Sequence, residues 1–455
     1  MIRLLVVLAA GLIVTGCAST GRAGAGKIAG QTYRVSDLAT LQDVLATKAN
    51  PGDVVEIEPG TYYLSTPKIS VQRSGALDHP IVIRGSMKNG VRPIIDASKV
   101  NVKRGVFSFE ETTHDVILEN VEICNAVSAL REGEKFPANA AAAYILGANI
   151  TLRNCRAHHC ENGLFSTHES DFVLIDRCEI DHNGRAPGQG DPYRTHNFYF
   201  NSKHQMVKNC YIHHSTDSQN FKSRGTNNIF AFNWVEEELA YSIGLDSGNE
   251  KNTLWLGNVA IKRTYEGIFQ GRLLGIGDGT GVAKGALVAL NNTFITIFPR
   301  DFYLFTEKTS TCDAILINNV FAGPGKLFLE KNGSGSITGS NNWIASVAEG
   351  VPDTLKDTIR CDDPGFMDAK SFDFRLKPDS PLINSGVSPE EYGKAVRLVT
   401  ANSRGDETAK PGVEWLKALA EIEAPVPAFE PFKNLSRVKP RILRGAIDIG
   451  ALEAQ

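Results

Sequence analysis

The segment HHSTDSQNFKSRG places His213, His214, Asp217, Asn220, Lys222 and Arg224 within one short stretch. Lys222 and Arg224 stand two residues apart, the spacing that puts two side chains on one face of a strand. A lysine becomes a general base when neighbouring cations or burial depress its pKa. The planar fork of an arginine suits a carboxylate. Together they suit proton removal beside an anionic group. Taken singly, either cation is most simply a solvated strand side chain, and His213 and His214 are most simply polar corner residues. Density argues for more: eight of the ten histidines lie between His158 and His214. The stretch DHNGRAPGQGDPYRTH, from Asp181 to His196, is a Gly/Pro/Arg-rich insertion of the kind that builds a groove wall.

Internal repetition indicates which element carries these residues. The pieces LENVEI, LRNCRA, IDRCEI, VKNCYI, AFNWVE, WLGNVAI, ALNNTFI, LINNVFA and GSNNWIA each place a polar residue before a small or apolar one. Their anchors are Asn120, Asn154, Arg177, Asn209, Asn233, Asn258, Asn292, Asn319 and Asn342, separated by 34, 23, 32, 24, 25, 34, 27 and 23 residues. A unit of about 23 residues holds about three short strands and three turns, with no room for a helix. That is one coil of a parallel β-helix, and the longer spacings are coils with a loop inserted at a corner. Leucine-rich repeats would need regular Leu spacing and a helical half, and antiparallel hairpins would not keep this register. The expected fold is all-β, a single-stranded right-handed parallel β-helix of roughly nine to twelve coils. Asn at a corner tolerates the left-handed region and can bond its counterpart in the next coil. Cys155, Cys178 and Cys210 share one place in the repeat and read as inward-facing free thiols.

Strand register then proposes a face. Aligning LFSTH, NFYFN, NFKSR, SIGLD and IFQGR with Phe165, Phe198, Phe221, Ile243 and Phe269 inward makes Ser166, Tyr199, Lys222, Gly244 and Gln270 one outward row. The next outward row is His168, Asn201, Arg224, Asp246 and Arg272. Asp246 also reads as a simple cross-strand partner of Arg224. GIGDGTG, from Gly275 to Gly281, lacks the Lys-Ser/Thr ending of a phosphate loop and reads as an insertion.

The chain has 455 residues, 42% hydrophobic and 22% charged, and a net charge of −3 that gives no field for nucleic acid. Arg3, the apolar run Leu4 to Val14, and Val14-Thr15-Gly16-Cys17 describe a secretory signal. The last four resemble a bacterial lipobox, which implies lipid attachment at Cys17 and an exported, membrane-anchored protein. Residues 18–31 read as a flexible tether. A short amphipathic helix from Ser36 to about Lys48, with Leu38, Leu41, Val44 and Leu45 apolar, is followed by PGDVVEIEPGTYYL, HPIVIRG and RPIIDAS. These closely resemble the N-terminal helical cap and first coils of bacterial β-helix polysaccharide lyases of the alginate, chondroitin and pectate lyase kind. DPGFMDAKSFDFRLKPDSPLINSG and the final DIGALE resemble that group's closing coils. The expected organisation is a signal peptide over 1–17, the tether, a β-helix over 32–387, and a C-terminal wrap and closing coil over 388–455.

The resemblance implies an exported protein acting on an acidic polysaccharide, most simply by β-elimination. Lys222 is then the candidate base, Arg224 the carboxylate clamp, and Tyr199 or His196 the proton donor to the leaving oxygen. Asn201, Asn220, His213, His214, Asp246, His168 and Arg272 are candidate substrate contacts. The chain departs from the alginate and chondroitin lyases in taking Lys and Arg from one coil. Ca²⁺ is implied by resemblance alone, since no cluster of calcium-binding acids is evident. No nucleic acid partner is expected, and the protein reads as a monomer. A C5-epimerase would share the proton abstraction. A glycoside hydrolase would need paired carboxylates such as Asp217 and Asp246, the doublet Asp362-Asp363 lying near the closing coils. A non-catalytic polysaccharide-binding lipoprotein would use the same face.

Overall fold

Three strands per coil and in-register stacking build three long sheets. The computed structural model describes residues 30–129, 140–185, 194–237, 243–245, 250–263, 272–276, 284–299, 302–306, 311–329, 335–406, 408–425, 429–433, 439–441 and 445–452. Cys17 and the tether before residue 30 lie outside the described residues. Among the described residues, sheet A has thirteen strands, from Thr32–Val35 to Leu355–Lys356. Sheet B has twelve, from Thr61–Tyr63 to Ile359–Cys361, and sheet C ten, from Ile69–Val71 to Lys326–Leu329. Each takes one strand per coil, paired in parallel with its neighbours, as where Phe198–Phe200 meets Phe221–Ser223. Period-two alternation sends one row inward: Ile123, Ala157, Ile180, Ile212, Val235, Ala260 and Phe294 stack coil on coil in sheet B. All are buried. The chain is the parallel β-helix expected.

The corner between sheets A and B contains two adjacent columns where one was expected. Asn120, Asn154, Arg177 and Asn209 have positive φ, and their equivalents in later coils are Phe232, Asn291, Asn318 and Asn341. Asn233, Asn258, Asn292, Asn319 and Asn342 lie one residue further on and face inward, in line with Cys155, Cys178 and Cys210. Polar residues in both columns made the two look like one. In the inner column each amide is fully used. Asn258 Nδ2 donates to Phe230 O at 2.8 Å and to Asn292 Oδ1 at 2.9 Å. Its Oδ1 accepts from Asn233 N and Nδ2 at 2.9 and 3.0 Å. The cysteines continue the column with weaker sulfur contacts, Cys155 N to Cys178 Sγ and Cys178 N to Cys210 Sγ, both 3.4 Å. All three are free and buried. In the outer column, Asn291 and Asn318 hold the returning C-terminus, through Asp448 O at 2.7 Å and Val387 N at 2.9 Å.

Helix α1, Leu38–Asp43, is capped by Asp37, one residue later than expected, whose carboxylate accepts from Thr40 N at 2.8 Å. Its turn widens through Lys48, and Leu41, Val44 and Leu45 bury against the first coils.

Among the described residues, the C-terminal helices lie on a flank of the solenoid and not over its end. Helix α2, Pro389–Thr400, and helix α3, Val413–Ile422, lie along the outer face of sheet A. Tyr392, Val396, Val399, Trp415, Leu419 and Ile422 bury the outward row Leu174, Met206, Ile229, Leu254 and Val288. Lys208 pairs with Glu421 at 2.6 Å, and Arg153 with Glu414. The antiparallel pair Phe366–Asp368 and Asp373–Leu376 folds outside sheet B, where Phe374 stacks on Trp234 at 5.8 Å. Residues 450 and 451 follow against Thr293 and Val320. The segments expected as closing coils therefore cover flanks. Among the described residues, neither the helices nor the hairpin covers the outer face of sheet C or the earlier part of sheet B.

Asn258→Leu strands several buried backbone and amide groups, each costing about 1–3 kcal/mol. It should lose at least about 3 kcal/mol, against about 1 kcal/mol for the small cavity of Cys178→Ala. Urea unfolding of both variants checks this, and an equal or reversed order would deny the ladder its role.

Candidate functional site

On sheet C the outward row is Ser70, Ser108, Tyr144, Phe165, Tyr199, Lys222, Gly244 and Gly275. Tyr199 and Lys222 are neighbours, as expected. Phe165, however, belongs to this outward row, while Leu164 and Ser166 face in. Leu164 and Phe165 are both apolar, so alternation alone could not tell which pointed inward. At the other end Ile243 pairs with Leu274 and Gly244 with Gly275. Phe269 and Gln270 lie outside the described residues, and their expected places in the rows are taken by Leu274 and Gly275.

The corrected register creates a feature not foreseen from the sequence. Tyr144, Phe165 and Tyr199 form an aromatic stack, with centroids 4.8 and 4.9 Å apart and planes 4° and 22° from parallel. Cations stand at both ends. Arg104 lies 5.7 Å from the Tyr144 ring, and Lys222 and Arg224 lie 5.8 and 5.6 Å from the Tyr199 ring. Lys222 is half-buried and Arg224 exposed. Chain order holds the signal for the stack: Tyr144, Phe165 and Tyr199 each sit mid-strand, one per coil.

His196 stacks behind Tyr199 at 5.3 Å and is only 1% exposed. Burial pushes its imidazole well below the usual range. Lys222 and Arg224 push the same way, against a hydrogen bond with the Gln219 backbone. The ring is therefore neutral and shut away from the outer face of sheet C. It supports Tyr199 and does not present a proton to a leaving oxygen.

The other candidates divide. Asn201 is half-buried at the end of the Tyr199 strand, its N and Nδ2 donating to Ser166 Oγ and O at 3.0 and 2.8 Å. Asn220 is fully buried in a second interior ladder, accepting from Asn197 Nδ2 at 2.6 Å and donating to Glu236 O at 3.0 Å, so it does not face the outer surface of sheet C. His213 ends a strand of sheet B, and His214 turns the following corner. His168 lies in an exposed turn beside Glu169, off the row. Arg272 opens its strand opposite Phe302, displaced from its expected place after Asp246 at the end of the Arg224 row. Asp246 lies outside the described residues.

The insertion after Asp181 is clamped where it leaves and rejoins the coil. Arg185 pairs with Glu161 at 2.7 Å, both buried, and Glu161 also accepts from Ser128 N and Ala140 N. Asp217 Oδ2 accepts from Arg194 N, Thr195 N and Thr195 Oγ1 at 3.1, 3.0 and 2.6 Å. Asp217 is thus committed to holding the loop base, which removes one partner of the hydrolase pair. Residues 186–193 of the insertion lie outside the described residues. Ca²⁺ takes six to eight oxygen ligands. Among the described residues no such set lies beside Lys222, and the metal-competent group is a nitrogen-rich one on sheet B.

The family described as "Right handed beta helix region" matches residues 94–272. No curated protein matches the chain in sequence. Among solved structures, pectate lyase Pel9A superposes with a TM-score of 0.53 at 14% identity, over 94% of this chain and 98% of that one. The catalytic unit of a thermostable GH87 α-1,3-glucanase from Streptomyces thermodiastaticus strain HF3-3 gives 0.45 at 14%, over 75% and 68%. An alginate lyase from Paenibacillus sp. str. FPU-7 gives 0.39 at 12%, over 62% and 99%. The protein is a right-handed parallel β-helix, with the fold of pectate lyase Pel9A.

The state of His196 has a measurable consequence. In the unfolded chain it titrates near 6.5, and in the folded protein well below. Above about pH 6.5 both states are neutral, and the group leaves stability unchanged. Below it the unfolded chain takes up the extra proton, and stability falls by about 1.4 kcal/mol per pH unit. His196→Phe should lose that slope relative to wild type between about pH 6.5 and 5. Urea titrations at the two pH values test this, and parallel slopes would mean that His196 charges in place.

Proposed function

We propose that the protein cleaves an acidic polysaccharide laid along the outer face of sheet C, by β-elimination at Lys222 and Arg224. The observation that carries this reading is the placement of both cations over the ring of Tyr199, at the end of the Tyr144–Phe165–Tyr199 stack. Arg104 marks the far end, four coil spacings of about 4.8 Å away. A polyanionic chain crossing coils would meet cations at both ends and aromatic edges between. Fold likeness to a pectate lyase supports the reading.

In this mechanism the Arg224 guanidinium holds the uronate carboxylate and takes up charge as the neighbouring carbon loses its proton. The Lys222 amine, in its neutral form, accepts that proton. The electron pair forms the new C=C bond, and the glycosidic C–O bond on the next carbon breaks. The Tyr199 hydroxyl, whose ring lies beside both cations, protonates the departing oxygen.

Incubation with a panel of uronate polymers, following absorbance of the unsaturated product, tests the reading. Lys222→Ala should lower turnover about 100-fold or more while polymer binding changes little. Arg224→Ala should weaken both, because the clamp acts in ground and transition states alike. Binding without any unsaturated product would make the face a polysaccharide-binding surface, and neither binding nor product would remove it from consideration.

We also propose export and lipid anchoring through Cys17. Cys17→Ser should yield an unprocessed chain that takes up no radiolabelled lipid, and label on that variant would refute the lipobox.

A further inference from the structure

The outer face of sheet B carries a second concentration of chemistry, separate from the Lys222 face. His158, Asp181 and His213 stand in register on successive coils. Each is followed by a histidine at positive φ: His159, His182 and His214, at 53°, 51° and 49°. That conformation is uncommon for a residue with a side chain, though His, Asn and Asp reach it more readily than most. Its repetition turns the three rings over the corner as a parallel stack, with centroids 5.2 and 4.8 Å apart and planes within 4°.

Ring nitrogens converge inside this corner. His182 Nδ1 meets Asp181 Oδ2 at 2.7 Å, and His213 Nδ1 meets His214 Nδ1 at 2.6 Å. Ligand atoms of Asp181, His182 and His213 all lie within 4.8 Å of one another. His214 stacks on His182 and touches His213, adding a fourth donor.

A second observation points to a ligand. The far nitrogen of His213, Nε2, lies 3.4 Å from Glu179 Oε1. Arg156 grips the buried Asp181 carboxylate through both oxygens at 3.0 Å. A carboxylate behind a histidine fixes the tautomer, leaving Nδ1 with its lone pair outward, and a partner behind a carboxylate fixes its direction. Metal-binding histidines and carboxylates are held in this way.

We propose that Asp181, His182, His213 and His214 bind one divalent transition-metal ion of the zinc class. The ion takes the place of the proton now shared by His182 Nδ1 and Asp181. His214 turns its Nδ1 lone pair to the ion, its ring proton moving to Nε2. Three imidazole nitrogens with one carboxylate oxygen suit Zn²⁺, Co²⁺ or Ni²⁺, whereas Ca²⁺ and Mg²⁺ want oxygen cages. The His182 side chain is 40% exposed, so the donors can draw in by rotation. The ion would tie two successive coils at the corner from which the insertion after Arg185 departs.

Isothermal titration of the metal-free protein with Zn²⁺ tests the site. One Zn²⁺ per chain should bind with a Kd in the micromolar range or tighter, and millimolar Ca²⁺ should not compete. His182→Gln and His213→Gln should each weaken binding by about 100-fold, and Glu179→Gln by about 10-fold. Lys222→Ala should leave it unchanged. His182 is partly exposed, so its variant remains informative should the buried His213 variant misfold. Co²⁺ bound to wild type should give a visible spectrum that His182→Gln abolishes. No Zn²⁺ uptake at about a hundred times micromolar Kd, or uptake unaffected by His182→Gln, would overturn the proposal.

Discussion

Every part of this molecule depends on one constraint: each coil must lay its backbone directly over the coil before it while turning three corners and pairing the backbone N–H groups that those corners bury. Strands satisfy the rule through parallel ladders, but corners interrupt the ladders and leave N–H groups pointing at the next coil. The inward Asn column answers this by placing an amide beneath each orphaned N–H and passing its own protons to the coils on either side. An amide has both donors and acceptors, so the pattern repeats without limit. Sulfur accepts only weakly, and the column of Cys155, Cys178 and Cys210 hands over to Asn at Cys210 N–Asn233 Oδ1, 2.9 Å.

With the interior devoted to repetition, the outside differentiates. Sheet A gives up the middle of its outer face to α2 and α3, whose apolar stripes cover Leu174, Met206, Ile229, Leu254 and Val288. Late sheet B is covered by the hairpin around Phe374 and by the last described residues. Among the described residues, the two concentrations of chemistry lie on sheet C and on the first coils of sheet B. These two areas have different character. One is aromatic and cationic, suited to a long anion. The other is imidazole and carboxylate, suited to something small. The insertion between Arg185 and Arg194 leaves from the corner that separates them, its base held by Asp217 and the Glu161–Arg185 pair.

The solenoid was legible because its period is enforced by stacking and therefore written in the chain. The pairing of Tyr199 with Lys222 followed from period-two counting inside an unambiguous strand. Where two apolar residues are adjacent, as at Leu164-Phe165, alternation has no sign, and the register slipped by one. That slip hid the aromatic stack. Asn220 illustrates a different limit: an asparagine beside a cationic strand reads the same whether it faces a sugar or an interior ladder, because only the neighbouring coil's Asn197 decides. The path of the C-terminus was illegible for a third reason. Amphipathic helices announce that they will be buried but not against which surface, and the apolar outward row of sheet A is spread over five coils.

The return of the chain along sheet A also changes how the solenoid comes apart. Coils that touch only their neighbours can fray one at a time from either end. Here Gly412 N bonds Asn149 Oδ1 across 263 residues, and His204 Nε2 meets Asn402 O across 198. Val413 N reaches back to Leu77 O, and Asn291 holds Asp448. These ties turn a one-dimensional stack into a closed circuit, in which loosening a middle coil also loosens the strap that binds early coils to late ones. Such a molecule melts as one unit. During synthesis α2 and α3 follow the coils they cover, and until they emerge the bare apolar flank of sheet A needs protection from aggregation.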